Sequence, residues 1–558
     1  MEKLSDLINK RISRRELLKT AGKTAVFLSA GAILPSEFFK NPLFGRLNNF
    51  NEEIPFKPIL PSSDDKFILP EGFNYTIIRK WGDKITGKSD YGYNNDYVAY
   101  LPIDMLEGGE NSDDGLLVVN HEFPSPLFIN NYTDVDFENG KLKTLREVNA
   151  EKKSVGISIF RIKRENGQWK FVNDEKYNRR IDANSKIVIS GRASGTEEIK
   201  YKKRAIGTLA NCSGCITPWG TFLSAEENYQ DYFTSKNKWE YRWNDQDKEF
   251  IIEHYGWIVE VDPFNKSSIP HKRTSLGRFR HENAAIALTP EKKVVVYMGD
   301  DKEDECVYKF ITADSFKEND RDSNMNLLNS GELYAADFKN NKWQLIDYDK
   351  REELKSKFKS QADVLIRCDA ASKIVGGTPC DRPEDIEINP ADKSVFISFS
   401  NNFKKQNIHG SIIRLIEKEN NPASMEFEWE VFLTGGVSAG FSCPDNLTFD
   451  SSGNLWVLSD ISTGRLNKKD HKPFKNNGMF MIPTSGINKG RVYQFASGPR
   501  GSELCGGNFT PDESTMFLSI QHPGEDSTDI ENPTSRWPDY GKEIPKPAVV
   551  AITGFKKT

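Results

Sequence analysis

Residues 211–228 read NCSGCITPWGTFLSAEEN. A polar pair, Asn211-Cys212, opens a short strand, Thr217-Pro218-Trp219 reverses the chain, and GTFLSA returns apolar to close on Glu226-Glu227. Pro presets the φ that a tight turn needs, so the stretch predicts an antiparallel hairpin whose polar ends meet at its open end. Cys212 and Glu227 then become neighbours although 15 positions separate them.

The apolar return strand recurs as an eight-residue frame: GLLVVNHE at 115–122, GTFLSAEE at 220–227, VVVYMGDD at 294–301, SVFISFSN at 394–401, GNLWVLSD at 453–460 and TMFLSIQH at 515–522. Turn residues precede each frame, and five have a polar-opening strand ahead of the turn, at 211–215, 281–285, 382–386, 444–448 and 505–509. Successive turns lie about 60–105 residues apart, which suits four-stranded blades carrying insertions. Radial closure removes the exposed edges that six separate hairpins would leave. The expected fold is all-β, a six-bladed β-propeller forming one domain over residues 35–558, with rim insertions near 123–205 and 302–381. Two packed sandwiches would explain the alternation but not the six polar ends.

Those ends collect at one mouth. The closing positions are Glu122, Glu227, Asp301, Asn401, Asp460 and His522, and the opening strands supply Asn211, Cys212, His281, Glu282, Asn283, Arg382, Glu384, Asp385, Asp445, Asn446 and Asn508. Strand ends in any β protein gather Asp, Asn and Glu as turn caps, which suffices for a single position. It does not account for Glu122, Glu227, Glu282, Asp301 and Glu384 in matched register. Carboxylates crowded in one desolvated place raise one another's pKa unless cations join them. Hard oxygen donors suit Ca²⁺ or Mg²⁺, and a thiolate at Cys212 adds affinity for iron or zinc. His121, His281 and His522 stand at the same ends, as ligands or as hydrogen-bonding groups. Arg382 is a fixed cation in an anionic mouth, a fork that fits phosphate or the carboxylates themselves.

The 558-residue chain is 28% charged with a net charge of −5, and no apolar run reaches the ~18–20 residues of a spanning helix, which excludes a multi-pass membrane protein. Its 35 Phe, 18 Tyr and 10 Trp exclude a largely disordered chain, and its balanced charges give no nucleic-acid partner. Residues 13–19, SRRELLK, lead into a small-residue apolar stretch from Ala21 to Leu34, with Ala30-Gly31-Ala32 fitting a cleavage site. This has the form of a twin-arginine export signal over residues 1–34, so the twin-arginine translocation machinery is an expected partner and the periplasm or the exterior the destination. No lipobox cysteine follows, so no stable membrane anchor is expected. Seven cysteines, with only Cys212 and Cys215 spaced C-x-x-C, give a weak zinc signal and would leave one thiol over if the rest paired.

NHE at 120–122, the stretch 211–228, RFRHEN at 278–283, YMGDD at 297–301 with ECVYKF at 305–310, RPEDIEINP at 382–390 and PDNLTFDSSGNLWV at 444–457 together resemble the PhoX family of bacterial alkaline phosphatases. The resemblance runs from about residue 60 to the C-terminus. It implies hydrolysis of phosphomonoesters at alkaline pH by a six-bladed propeller with an oxide-bridged cluster of Fe³⁺ and Ca²⁺ in its mouth. Carried over by motif, it implies that Cys212 ligates iron, that Glu122, Glu227, Glu282, Asp301, Glu384 and Asp445 complete the metal set, and that Arg382, with Asn211, binds phosphate. Arg382 and Cys212 are then the catalytic residues, and a metal-bound oxide or hydroxide is the nucleophile. No G-x-S-x-G elbow offers a serine instead. Two positions depart from the family's pattern: Cys215 stands where the motif has a second Gly, and Ala225 where relatives often have Cys. The alternatives are a calcium-dependent propeller lactonase or other esterase, or a non-catalytic metal-binding propeller. A neutral lactone needs neither the thiolate nor the guanidinium.

Overall fold

Successive residues of a strand point to opposite faces, so frames such as GLLVV and VVVYM build sheets that must be covered on both sides. The computed structural model describes residues 2–20, 54–233, 241–247 and 249–555, and in it the sheets stand against one another around an axis. Sheet I runs Asn95–Pro102, Asp114–His121, Gly156–Glu165, Gln168–Val172. Sheet II begins Asn211–Ile216, Phe222–Glu226, Ile258–Val261, His271–Arg273, and sheet III begins Ala285–Leu288, Lys293–Gly299, Val307–Ser315. Sheet IV runs Pro383–Ile388, Val395–Phe399, Ser411–Glu417, Phe427–Thr434, and sheet V runs Pro444–Phe449, Asn454–Ser459, Gly478–Pro483, Tyr493–Ser497. In sheet VI, Glu503–Phe509, Thr515–Gln521 and Ala548–Thr553 are completed by Asn74–Lys80, so a strand from early in the chain closes a sheet made by its end.

The alternation decides the packing. Leu116 and Val118 face sheet II while Leu117 and Val119 face sheet VI. Val294, Val296 and Met298 pack toward sheet II, and Val295 and Tyr297 toward sheet IV. A separate apolar cluster fills each gap between neighbouring sheets, and every fully buried Val, Leu or Ile in one stabilises the ring by ~1.5–3 kcal/mol.

The first strands of the sheets neighbour one another in a closed cycle from I to VI and back to I, a propeller-like arrangement. Hydrogen bonds stitch every step of that cycle. Asn120 Nδ2 donates to Cys212 O at 2.6 Å, Ser213 N to Glu282 O at 3.0 Å and Asn283 Nδ2 to Ile386 O at 2.8 Å. Ser398 Oγ donates to Asp445 O at 2.6 Å, Gly506 N to Asn446 Oδ1 at 2.7 Å and Tyr100 N to Asn508 Oδ1 at 2.9 Å.

The two segments expected as insertions are in part the outer strands of their own sheets: Gly156–Glu165 and Gln168–Val172 in sheet I, and Val307–Ser315, Gly331–Asp337 and Lys342–Leu345 in sheet III. Only Gln168–Val172 and Lys342–Leu345 begin with an exposed residue beside a buried Trp, Trp169 and Trp343, while residues 307–312 and 333–337 are buried throughout. The remainder carries short helices, among them Leu145–Ser154, whose capping box is Thr144 with Glu147. The helix Leu4–Thr20 packs on the ring: Leu4 N donates to Pro379 O at 2.9 Å, and Leu4 and Ile8 are buried in the cluster between sheets III and IV. Arg14 and Arg15 fall in this helix, whereas the expected cleavage region at 21–34 lies outside the described residues. Among the described residues no helix is long and apolar enough to cross a membrane.

Candidate metal centre

Five of the six sheets begin with the same backbone device. Asn94, Ala210, Arg382, Cys443 and Gly501 have φ of 49°, 52°, 57°, 50° and 63°, each two residues ahead of a mouth side chain. A left-handed residue there swings the incoming chain into the innermost strand, and the four that are not glycine each cost of order 1–3 kcal/mol that the surrounding ring offsets. The side chains so delivered are Asp96, Cys212, Glu384, Asp445 and Glu503, and sheet III supplies Glu282 at the corresponding place.

Three overlapping trios form from them with the closing residues. Asp96, Glu122 and Cys212 bring one ligand atom each within 4.8 Å of one another, as do Cys212, Glu227 and Glu282, and then Glu282, Glu384 and Asp445. Cys212 and Glu282 are each shared between two trios, and all seven residues are buried. Cys212 Sγ lies 3.2 Å from Asp96 Oδ2 and 3.1 Å from Glu282 Oε1. Glu122 Oε2 accepts from Gln521 Nε2 at 2.8 Å, and Asn120 fixes the Cys212 carbonyl while its own Oδ1 accepts from Ser224 Oγ at 2.9 Å.

Burial and mutual repulsion push these groups toward their neutral forms. Asp96 is raised to about 7 and Asp445 to about 8, chiefly by desolvation, and Glu122, Glu227, Glu282 and Glu384 rise well above the usual carboxylate range. Burial, with Asp96 and Glu282 beside it, likewise drives the Cys212 thiol well above its ordinary value. Without cations, burial and mutual repulsion favour the neutral acids and the neutral thiol; cations reverse that balance. The donor set fits such cations: six carboxylates and one thiol converge, and Asp96 Oδ1 is buried with no hydrogen-bond partner.

Arg382 stands at the edge of the trios. Its Nε donates to Asp301 Oδ1 at 2.7 Å, its Nη2 to Asp301 Oδ2 at 2.6 Å, and Nη2 also lies 3.1 Å from Glu384 Oε1. Burial would raise Asp301, but the guanidinium overrides it and holds this carboxyl below its ordinary value. Asp301, expected among the metal ligands, therefore lies outside the trios with both oxygens on Arg382. Above them opens a cavity of about 450 Å³ whose wall includes Arg382, Asp301, Asn401 and Asp460.

Other mouth residues are spent on structure. Asn211 donates from Nδ2 to Thr208 Oγ1 at 2.8 Å and Ser224 Oγ at 2.9 Å, which occupies the amide protons that phosphate binding would have used. His121 sits between Tyr93 O at 3.0 Å and Ser158 Oγ at 2.7 Å, and His281 bonds Gly277 O at 2.9 Å and stacks on Phe279. His522 faces Glu503 at 3.4 Å. All seven cysteines are unpaired: Cys215 lies opposite Leu223 in the hairpin and packs on the apolar cluster between sheets II and III, away from Cys212.

Two site residues escape the sequence reading, Asp96 and Glu503. Asp96 belongs to NDYVAYLP, the polar-opening strand ahead of the first frame, which has the same pattern as the other five. Glu503 precedes a bulge between Gly506 and Asn508 that shifts the register, so the strand starts two residues earlier than CGGNF. A hydrogen bond ties Glu503 to Asp445.

A family model described as alkaline phosphatase PhoX matches residues 54–524. Among solved structures the chain is similar to Pseudomonas fluorescens PhoX in complex with vanadate, a transition state analogue, at 30% identity and a TM-score of 0.79, covering 89% of this chain and 97% of that one. A protein of unknown function from Dyadobacter fermentans matches at 8% identity and a TM-score of 0.36, covering 87% and 99% of the two chains. The gluconolactonase XC5397 from Xanthomonas campestris matches at 8% identity and 0.32, covering 90% and 99%. At those scores neither likeness bears on function. No curated relative matches the chain.

Proposed function

The chain belongs to the PhoX family of alkaline phosphatases, and from that premise we propose that its mouth holds Fe³⁺ and Ca²⁺ and that Arg382 delivers the phosphate of a phosphomonoester to them. It is a metal-dependent phosphatase whose substrates are phosphomonoesters. The observation that carries the finer reading is the sharing of Cys212 between two carboxylate trios, with a third, all-carboxylate trio whose Glu384 lies 3.1 Å from the Arg382 guanidinium. A thiolate among hard oxygens favours iron at that point, and the all-oxygen trio of Glu282, Glu384 and Asp445 favours calcium. Asp96, Glu122, Cys212, Glu227, Glu282, Glu384 and Asp445 would hold the ions, and Asp301 holds Arg382.

When bound, the ions supply the Lewis acidity that draws charge off the phosphate oxygens and activates the attacking oxygen. The chain's own residues do the rest. Arg382 has Asp301 on Nε and Nη2, so its Nη1 donors are the ones that would meet a phosphate oxygen, and they gain as negative charge grows in the transition state. Asp301 holds the guanidinium in place from the opposite edge. The ligand residues beneath the cavity are buried, which limits water on that side and strengthens each of these interactions. Residues 35–558 act as one catalytic domain, exported by the twin-arginine pathway to the periplasm or beyond.

The test is hydrolysis of p-nitrophenyl phosphate at pH about 9 by protein exported in its folded state, before and after calcium chelation, with bound metals quantified on the same sample. Activity lost on chelation and accompanied by iron supports the reading. Inactivity with full iron and calcium would overturn it.

A further inference from the structure

The cavity over the metal centre is several times the size of a phosphate group, at about 450 Å³, so the alcohol part of a substrate must also lie in it. Most charges on its wall already have partners: Arg382 with Asp301 and Glu384, Lys404 with Glu303 at 2.6 Å, and Lys302 with Glu305 at 3.3 Å. Two guanidinium groups on the wall, Arg280 and Arg465, form no ion pair among the described residues.

Each is held in a way that leaves hydrogen-bond donors open. Arg280 Nε is buried with no hydrogen-bond partner, and no ion pair among the described residues holds the guanidinium. Arg465 is exposed and lies over the Phe403 ring, 3.3 Å from its centroid. Packing a guanidinium on a ring face holds it without using its N–H groups, which lie in the guanidinium's own plane. Phe403 itself sits in the short turn Phe403–Lys405 that follows the second strand of sheet IV, so two loops cooperate.

We propose that Arg280 and Arg465 form a second anion subsite, for the leaving group, and that the enzyme selects phosphomonoesters whose alcohol carries another carboxylate or phosphate. This rests on the phosphatase reading. Phe403 is a positioning residue, acting through Arg465.

The matched substrates 3-phosphoglycerate and glycerol 3-phosphate differ by one carboxylate, so their ratio of kcat/KM isolates the subsite. The metal-loaded enzyme is expected to favour 3-phosphoglycerate, and the ratio to fall about tenfold in Arg465→Ala and in Arg280→Ala, the worth of one charge-assisted contact. Arg465→Lys should keep part of the preference, and Phe403→Leu should raise KM for 3-phosphoglycerate more than it lowers kcat. Arg465 is exposed, so its substitution tests the subsite without testing the fold. A wild-type ratio near one, or a ratio that neither alanine variant changes, overturns the subsite while leaving the phosphatase intact. Failure of the loaded wild type to hydrolyse either ester overturns both.

Discussion

Arg382 grips Asp301 through two parallel hydrogen bonds, Nε to Oδ1 at 2.7 Å and Nη2 to Oδ2 at 2.6 Å. That leaves the Nη1 donors of the guanidinium for a phosphate oxygen. The carboxylate therefore orients the guanidinium that carries them, and the left-handed backbone of Arg382, at φ 57°, fixes where that side chain starts. A guanidinium held this way loses little freedom when substrate arrives.

Arg382→Ala is expected to lower kcat/KM by about 10²–10³, the range for loss of one preorganised donor to developing charge. Arg382→Lys should recover little of it, because an ammonium is a point charge and cannot fork. Asp301→Asn should cost about tenfold through loss of orientation, equivalent to ~1.4 kcal/mol. Steady-state kinetics on one small phosphomonoester checks all three, and an Arg382→Ala enzyme with wild-type kcat/KM would remove this residue from the site.

Cys212→Ser should fold but bind less iron. Serine keeps the volume and a polar atom between Asp96 and Glu282, while a hydroxyl does not deprotonate where a thiol can. Elemental analysis of the purified variant, with a thermal melt alongside, separates the two roles. Full iron occupancy in a serine variant would show that the metal does not depend on sulfur.

The first half of this architecture was legible because hairpins announce themselves. Pro and Asp turns, alternating apolar frames and polar ends delivered six second strands and five of the six innermost ones, and with them the convergence of Glu122, Cys212, Glu227, Glu282, Glu384 and Asp445 at one mouth. Asp96 was missed because its hairpin connection, around residues 104–113, is a longer stretch with a short helix and not a tight reversal. Asp301 and Asn211 have the right chemistry and position, but a linear pattern does not say which partner a side chain meets first. Asp301 finds Arg382, and Asn211 finds Thr208 and Ser224. The outer strands carry no motif at all, since their register is set by the strand already beside them.

Asn120→Ala is expected to destabilise the protein by about 2 kcal/mol, because it strands the buried Cys212 carbonyl and the Ser224 hydroxyl that Asn120 now satisfies. It should also loosen the metal centre, since Asn120 braces the strand that carries Cys212. Denaturant midpoints measure the first effect and metal retention on dialysis the second. A variant with unchanged midpoint would show that the link between sheets I and II is redundant.

Removing the metals should make stability fall as pH rises. Asp96 and Asp445 titrate at about 7 and about 8 in the folded protein, against roughly 3.9 in an unfolded chain, so the folded state binds more protons between those values. By linkage their stabilising contribution is complete below about pH 4 and is lost progressively up to about pH 8, as the buried acids are forced to ionise beside one another. The neighbouring glutamates, also raised by burial, extend the loss upward in pH. Bound cations cancel the repulsion and remove this dependence, because the carboxylates are then ionised in both states. Thermal melts of chelated and calcium-loaded protein at pH 5, 7 and 9 should therefore diverge with increasing pH, the chelated form losing several degrees at each step. Parallel curves for the two forms would mean that the mouth acids are not the metal ligands.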